Sequence, residues 1–136
     1  MKYKYNILIV DDEETIVLTL KKDLEQEGYL VYTSLCATDA LEMVKNNKYH
    51  IVLTDIVMPQ MDGLELLRQI KKYDPMTQVI MMTESSTMDK ILNSLEYGAN
   101  DYIVKPFKST QDVVNVIECS LQKLERWREA FVQIVK

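Results

Sequence analysis

Five side chains that can do chemistry lie at the ends of four apolar, strand-like runs. They are three carboxylates, a hydroxyl and an ammonium: Asp11, Asp12, Asp55, Thr83 and Lys105. The carboxyl ends of parallel strands meet at one edge of a sheet, and ligands bind there, so we expect these groups to share a cleft. Three carboxylates suit a hard divalent cation, and a carboxylate beside a cation and an ammonium can accept a phosphoryl group.

Helix capping is the competing interpretation of the acidic run that starts at Asp11, because acidic side chains satisfy the free amides of a first turn. Asp55 is not explained by capping, since it ends a different strand that should lie beside the first. Charges about 5 Å apart repel by roughly 3 kcal/mol per pair at an effective dielectric of about 20. A cation would offset this repulsion, so we predict a Mg²⁺ site, open also to Mn²⁺, with a minor capping role for Asp12.

Lys105 is followed by Pro106, and cis peptides occur almost entirely at Xaa-Pro bonds. We therefore predict a cis Lys105–Pro106 bond that turns the chain sharply and directs the ammonium into the cleft. Thr83, at the end of a neighbouring strand, could donate its hydroxyl to a phosphoryl oxygen.

Five apolar runs alternate with five helical stretches. The predicted strands cover about 5–10, 30–34, 50–54, 78–82 and 101–104. Four are almost continuously apolar, as is typical of strands buried on both faces, whereas the second alternates and should lie at an edge. The pattern predicts right-handed crossovers and a doubly wound, flavodoxin-like α/β fold, with five parallel strands in the order 2-1-3-4-5.

The helical stretches carry apolar residues at a spacing of about 3.6, and Ile91 and Leu95 mark the buried face of the fourth. Gly28 and Gly98 should each end a helix in the left-handed conformation. The fifth helix begins near Thr110 and runs towards residue 134, with a heptad-like apolar stripe in its last part. We predict one domain over residues 1–120 and an extension over 121–136 that dimerises or leads to an effector domain.

Composition excludes several classes of function. The 136 residues are 47% hydrophobic and 27% charged, which suits one compact domain. A net charge of −5 disfavours direct binding to nucleic acid. No apolar run approaches the roughly 20 residues that span a bilayer, so we expect a cytoplasmic protein without membrane contact. His50, Cys36 and Cys119 are too few and too scattered for a zinc site.

The ordered motifs of this chain resemble those of the receiver domains of two-component response regulators. The resemblance covers roughly residues 5–120. It rests on Val10-Asp11-Asp12, Thr54-Asp55, Met58-Pro59, Met61-Asp62-Gly63, Met82-Thr83, Gly98-Ala99-Asn100-Asp101-Tyr102 and Lys105-Pro106-Phe107. Each motif is weak alone, but their order and spacing together are specific.

The resemblance implies a signalling switch rather than an enzyme in the usual sense. Asp55 would accept a phosphoryl group from the phosphohistidine of a sensor histidine kinase or phosphotransfer protein. Asp12, Asp55 and the backbone carbonyl of Val57 would bind Mg²⁺ directly, and Asp11 would act largely through water. Mg²⁺-dependent self-phosphorylation by small phosphodonors and autodephosphorylation would belong to the same site.

The resemblance also implies how the switch is read. Lys105 and Thr83 would bind the phosphoryl oxygens, and Tyr102 would turn inward as Thr83 moves. The face formed by the fourth helix, the fifth strand and the fifth helix would then control a partner or an effector domain. A homodimer through that face or through the C-terminal helix is expected.

Three positions depart from the family pattern or tune it. Glu84 follows the switch threonine, where the family has a small residue, and could slow phosphorylation or restrict small donors. Val57 and Ser85 fall at two variable positions of the family, whose residues adjust the rate of dephosphorylation.

Three rival classes of function fit these residues less well. A haloacid dehalogenase-type phosphatase would need an Asp at position 57. A flavodoxin-like cofactor binder would need a phosphate-cradling loop where this chain has acids. A receiver-like scaffold that takes no phosphate is supported only by Glu84.

Overall fold

The computed structural model describes residues 5–84 and 88–135. The strands are β1 (Asn6–Val10), β2 (Leu30–Ser34), β3 (Ile51–Asp55), β4 (Gln78–Glu84) and β5 (Asp101–Lys105). The helices are α1 (Glu14–Gln26), α2 (Ala37–Asn46), α3 (Gly63–Tyr73), α4 (Met88–Glu96) and α5 (Thr110–Val135). Strands and helices alternate strictly along the chain, as predicted.

All five strands are parallel and lie in the order β2-β1-β3-β4-β5, which confirms the predicted topology. Successive side chains of a strand point to opposite faces, so the apolar runs of the central strands supply two cores. One core, shared with α1 and α5, includes Ile7, Ile9, Leu24, Leu53 and Ile117. The other, shared with α2 and α3, includes Leu8, Val10, Val52, Leu67 and Ile70.

The two predicted helix-ending glycines have the expected conformation. Gly28 follows α1 with a φ of 97° and Gly98 follows α4 with a φ of 95°. Side chains with a Cβ rarely adopt this region, so glycine lets each helix stop abruptly before the next strand.

The predicted capping role of Asp12 is wrong. Glu13 is the N-cap residue of α1, and its side chain makes no capping hydrogen bond. The Asp11 carboxylate instead accepts the Glu13 N–H through Oδ1 at 2.9 Å. In this local turn, the carboxylate accepts a hydrogen bond from the amide two residues later in the chain. The turn is not helical, so the helix begins only at Glu14.

The predicted buried face of α4 is half wrong. Ile91 is buried, but Leu95 is 57% exposed, and Ser94 occupies the buried position beside Ile91. A buried serine is tolerated here because its hydroxyl donates to the Ile91 carbonyl at 2.6 Å. The exposed Leu95 therefore adds apolar surface to the outer side of α4.

Helix α5 extends well past the sheet, as predicted. Its inward face is buried from Val113 to Leu124. Beyond that point Trp127, Phe131 and Ile134 are 57%, 48% and 76% exposed. Within the described part of the chain, none of the helices is long and apolar enough to cross a membrane.

Candidate functional site

The carboxyl ends of β1, β3, β4 and β5 bring the five predicted side chains to one edge of the sheet. Asp11 follows β1, while Asp55 and Lys105 are the last residues of β3 and β5. Thr83 lies inside β4, which runs two residues beyond its predicted end because Glu84 still pairs with Lys105 in the ladder.

Three carboxylates meet at this edge. One carboxylate oxygen from each of Asp11, Asp12 and Asp55 lies within 4.8 Å of the other two. Asp11 is fully buried, Asp12 is exposed, and the side chain of Asp55 is 13% exposed. The cluster therefore has an inner wall at Asp11 and an accessible side at Asp12 and Asp55.

The Lys105 ammonium lies against the inner side of this cluster. Its Nζ is 2.6 Å from Asp11 Oδ2, 3.5 Å from Asp55 Oδ1 and 4.0 Å from Glu13 Oε1. Burial acts to lower the pKa of Lys105, but the hydrogen bond to Asp11 and the charges of Asp55 and Asp11 outweigh it and raise the pKa. Lys105 therefore stays protonated. The peptide bond between Lys105 and Pro106 is cis.

Asp55 is held in an environment that opposes its ionisation. Burial, aided by the negative charge of Asp11, raises the pKa of Asp55 from 3.8 to about 6. The Lys105 charge and the hydrogen bond from the Ile56 N–H to Asp55 Oδ1, at 3.0 Å, act in the opposite direction. The carboxylate is thus ionised at neutral pH but poorly solvated, and added positive charge would stabilise it.

The backbone of Asp55 is fixed by two residues that the sequence reasoning did not place in the site. The Thr54 hydroxyl donates to the Asp55 carbonyl at 2.9 Å. Gly63 packs directly on the same carbonyl, which a Cβ at position 63 would overlap. The Gly63 N–H also donates to the Ile56 carbonyl at 2.7 Å. The available signals were a polar residue within an apolar strand and a glycine where α3 begins.

The mouth of the site is a cavity of about 330 Å³. It is lined by Asp12, Glu13, Asp55, Ile56, Val57, Thr83 and Glu84. Glu84 is exposed at the rim, and the side chain of Val57 is 54% exposed. Thr83 is buried and its hydroxyl donates to the Glu84 carbonyl at 3.1 Å.

Tyr102 is not among the residues that line this cavity. Tyr102, on β5, is 47% exposed and pairs in register with Met81. Ser85, predicted to tune dephosphorylation, lies outside the described residues.

Comparison with known proteins agrees with this geometry. A family model described as a response regulator receiver domain matches residues 7–118. The chain belongs to the response regulator receiver domain family. That match begins within β1, covers the other four strands and ends within α5, before the exposed part of the helix.

Relatives of this receiver domain include both isolated domains and parts of longer proteins. It is 41% identical over 105 residues to the uncharacterized transcriptional regulatory protein YkoG of Bacillus subtilis, covering 77% of this chain and 46% of that protein. The chain therefore spans about half the length of this curated relative.

Solved structures show the same fold. A CheY-like receiver domain protein from Methanospirillum hungatei has a TM-score of 0.86 and 35% identity, over 90% of this chain and 97% of that one. NtrX from Brucella abortus has a TM-score of 0.88 and 32% identity, over 96% of this chain and 29% of that one.

Proposed function

We propose that Asp55 is the phospho-acceptor of this receiver domain and that a phosphohistidine on a sensor kinase or phosphotransfer protein is the donor. An Asp55 oxygen forms a bond to phosphorus as the phosphorus–nitrogen bond breaks and the imidazole leaves with its electron pair. The observation that carries the proposal is the position of Asp55. It is the one carboxylate of the cluster that lines the cavity and also lies beside the buried Lys105 ammonium.

The donor set at the cleft fits a hard divalent cation, Mg²⁺ or Mn²⁺, because three carboxylates converge within 4.8 Å. Both oxygens of Asp11 are already engaged, one by Lys105 and one by the Glu13 N–H, which supports an indirect role for Asp11. Asp12, Asp55 and the backbone carbonyl of Val57 would then be the direct protein ligands. When bound, the cation neutralises charge on the transferring phosphoryl group.

Lys105 and Thr83 are proposed to bind the oxygens of the phosphorylated Asp55. Lys105 needs little movement, since its Nζ already lies 3.5 Å from the acceptor carboxylate. The Thr83 hydroxyl has to leave the Glu84 carbonyl, which it contacts at 3.1 Å. Tyr102, exposed on β5, would move inward with it.

The output surface is proposed to be the face of α4, β5 and α5. Leu92, Leu95, Tyr102 and Val104 give it exposed apolar side chains. A shift from about 1% to 99% active needs roughly 5.5 kcal/mol of differential stabilisation. One new hydrogen bond from Thr83 to a charged phosphoryl group contributes about 1.5–3 kcal/mol, so repacking of Tyr102 and partner contacts would supply the rest.

The extended part of α5 is proposed to join two copies of the domain or to lead to an effector domain. Its apolar stripe continues the buried face of the same helix, from Leu124 to Trp127, Phe131 and Ile134. Spacings of three and four residues along that stripe are typical of helix pairing. YkoG, a relative named as a transcriptional regulatory protein, supports the effector domain as the continuation of this helix.

The test of acceptor identity is the intact mass of the domain after incubation with Mg²⁺ and acetyl phosphate. We expect one phosphoryl adduct that requires Mg²⁺ and is absent from Asp55→Asn. Asp39→Asn, the same change at an exposed position in α2, is the matched control and should accept the adduct normally. An adduct that persists in Asp55→Asn would contradict the proposal.

A further inference from the structure

We propose that Thr54, together with Gly63, is a positioning residue that sets the orientation of the Asp55 carboxylate. The inference rests on the proposed function, since it assigns Asp55 as the acceptor. Neither residue reaches the cavity that the phosphoryl group would enter. Both act on the backbone of Asp55.

Thr54 is unusual for its surroundings. It is fully buried in the central strand β3 and pairs in register with Val10 on β1 and Met81 on β4. A buried hydroxyl in an apolar layer is costly without a partner. Thr54 satisfies its hydroxyl by donating to the Asp55 carbonyl at 2.9 Å, so this hydrogen bond will persist in the folded domain.

The hydrogen bond from Thr54 fixes one end of the peptide plane between Asp55 and Ile56. The other end of the same plane is the Ile56 N–H, which donates to Asp55 Oδ1 at 3.0 Å. A peptide unit is rigid, so the orientation of its carbonyl determines the direction of its N–H. Thr54 thereby acts on the acceptor carboxylate through a planar group that rotates as one body.

Gly63 holds the same plane from the side of α3. A Cβ at this position would overlap the Asp55 carbonyl oxygen, so only glycine permits the close approach. The Gly63 N–H also donates to the Ile56 carbonyl at 2.7 Å. The plane is therefore held by a hydroxyl on one side and by a close backbone contact on the other, which fixes the direction of the Ile56 N–H that Oδ1 accepts.

Orientation of the acceptor matters because phosphoryl transfer depends on alignment, and a misplacement of about 1 Å can cost 100-fold in rate. The isosteric variant Thr54→Val removes the hydroxyl and suits the apolar layer. We expect it to fold and to be phosphorylated by acetyl phosphate about 10-fold to 100-fold more slowly at saturating Mg²⁺. Thr54→Ser keeps the hydroxyl and should restore a rate close to that of the wild type.

The matched control is Thr77→Val. Thr77 is also a buried threonine whose hydroxyl donates to a backbone carbonyl, that of Tyr49, at 3.4 Å, and it lies at the opposite edge of the sheet, where its side chain also hydrogen-bonds Asp74. A general effect of losing a buried hydroxyl would slow both valine variants, whereas the positioning role slows only Thr54→Val. Gly63→Ala is the second variant and should also slow the reaction.

The Ile56 amide gives a readout that does not depend on phosphorylation. In the metal-free domain its proton resonance should move upfield in Thr54→Val, as its hydrogen bond to Asp55 weakens, and should stay in place in Thr54→Ser and Thr77→Val. A wild-type rate in Thr54→Val, or an equal loss of rate in Thr77→Val, would overturn the proposal. If the wild-type domain takes no phosphoryl group, the proposed function fails. The positioning role is then tested separately, and an unmoved Ile56 resonance in Thr54→Val would overturn it.

Discussion

Asp55→Asn should stabilise the metal-free domain at neutral pH, although it removes the proposed acceptor. The pKa of Asp55 is raised from 3.8 in its ordinary state to about 6 in the fold. Between these values the unfolded chain has lost the proton that the folded domain still holds. The free energy of unfolding therefore falls as pH rises through this window and does not recover above it.

The magnitude follows from the same two pKa values. The difference between them corresponds to about 3 kcal/mol. The cavity gives the carboxylate solvent on one side, which reduces the expected effect to about 1–2 kcal/mol. Asparagine carries no charge at any pH, so the stability difference between the variant and the wild type should grow from about pH 4 to pH 6 and then level off.

The assay measures the free energy of unfolding in urea, with a chelator present, at pH values from 4 to 8. Far-ultraviolet circular dichroism monitors the unfolding at each pH. Asp39→Asn is the control and should stay within about 0.5 kcal/mol of the wild type throughout. Added Mg²⁺ should reverse the order, because ligand at 100 times its Kd stabilises the folded wild type by about 2.7 kcal/mol and the variant much less. An Asp55→Asn variant less stable than the wild type at pH 7 without metal would show that ionised Asp55 does not destabilise the fold.

Three further predictions concern the charges and the apolar stripe. Lys105→Met should destabilise the metal-free domain by about 3 kcal/mol at pH 7 in urea unfolding, because it leaves the buried Asp11 without its opposite charge. Glu84→Ala should speed phosphorylation by acetyl phosphate about threefold to tenfold in a mass-resolved time course, since one charge about 7 Å from a dianionic donor contributes roughly 1 kcal/mol in water. If the stripe joins two copies of the domain, Phe131→Glu should shift it from dimer to monomer in sedimentation, since Phe131 is 48% exposed and lies outside the core of its own domain.

Each of these predictions has a matched control. Lys108→Met, at an exposed position, should leave stability unchanged, and a loss below about 1 kcal/mol in Lys105→Met would contradict the reasoning. The Glu84 effect should shrink at high salt, and a salt-independent rate change would exclude charge as its cause. Glu129→Lys, on the exposed side of α5, should stay dimeric, and a dimeric Phe131→Glu would rule out the stripe as the interface.

Much of the fold could be predicted because its signals are local and repeated. Continuous apolar strands, helix-ending glycines and strict alternation led directly to the sheet order that the structure shows. The same logic placed Asp11, Asp55, Thr83 and Lys105 at one edge, since a parallel sheet leaves few other arrangements.

The errors arose where tertiary contacts override local patterns. Leu95 fits the periodicity of a buried face, yet Ser94 takes the buried position once its hydroxyl is satisfied within the helix. Asp12 resembles an N-cap in sequence, but the hydrogen bond of Asp11 to the Glu13 N–H delays the helix. Thr54 and Gly63 contact the backbone of Asp55 because the β3–α3 loop folds back over it. The spacing of residues in the sequence does not predict this loop conformation.

The assignment of Asp55 as the acceptor is tested by reducing the phosphorylated domain with borohydride and sequencing its peptides by mass spectrometry. Borohydride converts an aspartyl phosphate into homoserine and leaves free carboxylates intact. If Asp55 is the acceptor, homoserine will form at position 55 alone, and only after incubation with both Mg²⁺ and a phosphodonor. Homoserine at position 11 or 12, or a phosphoryl adduct with Asp55 unreduced, would contradict it.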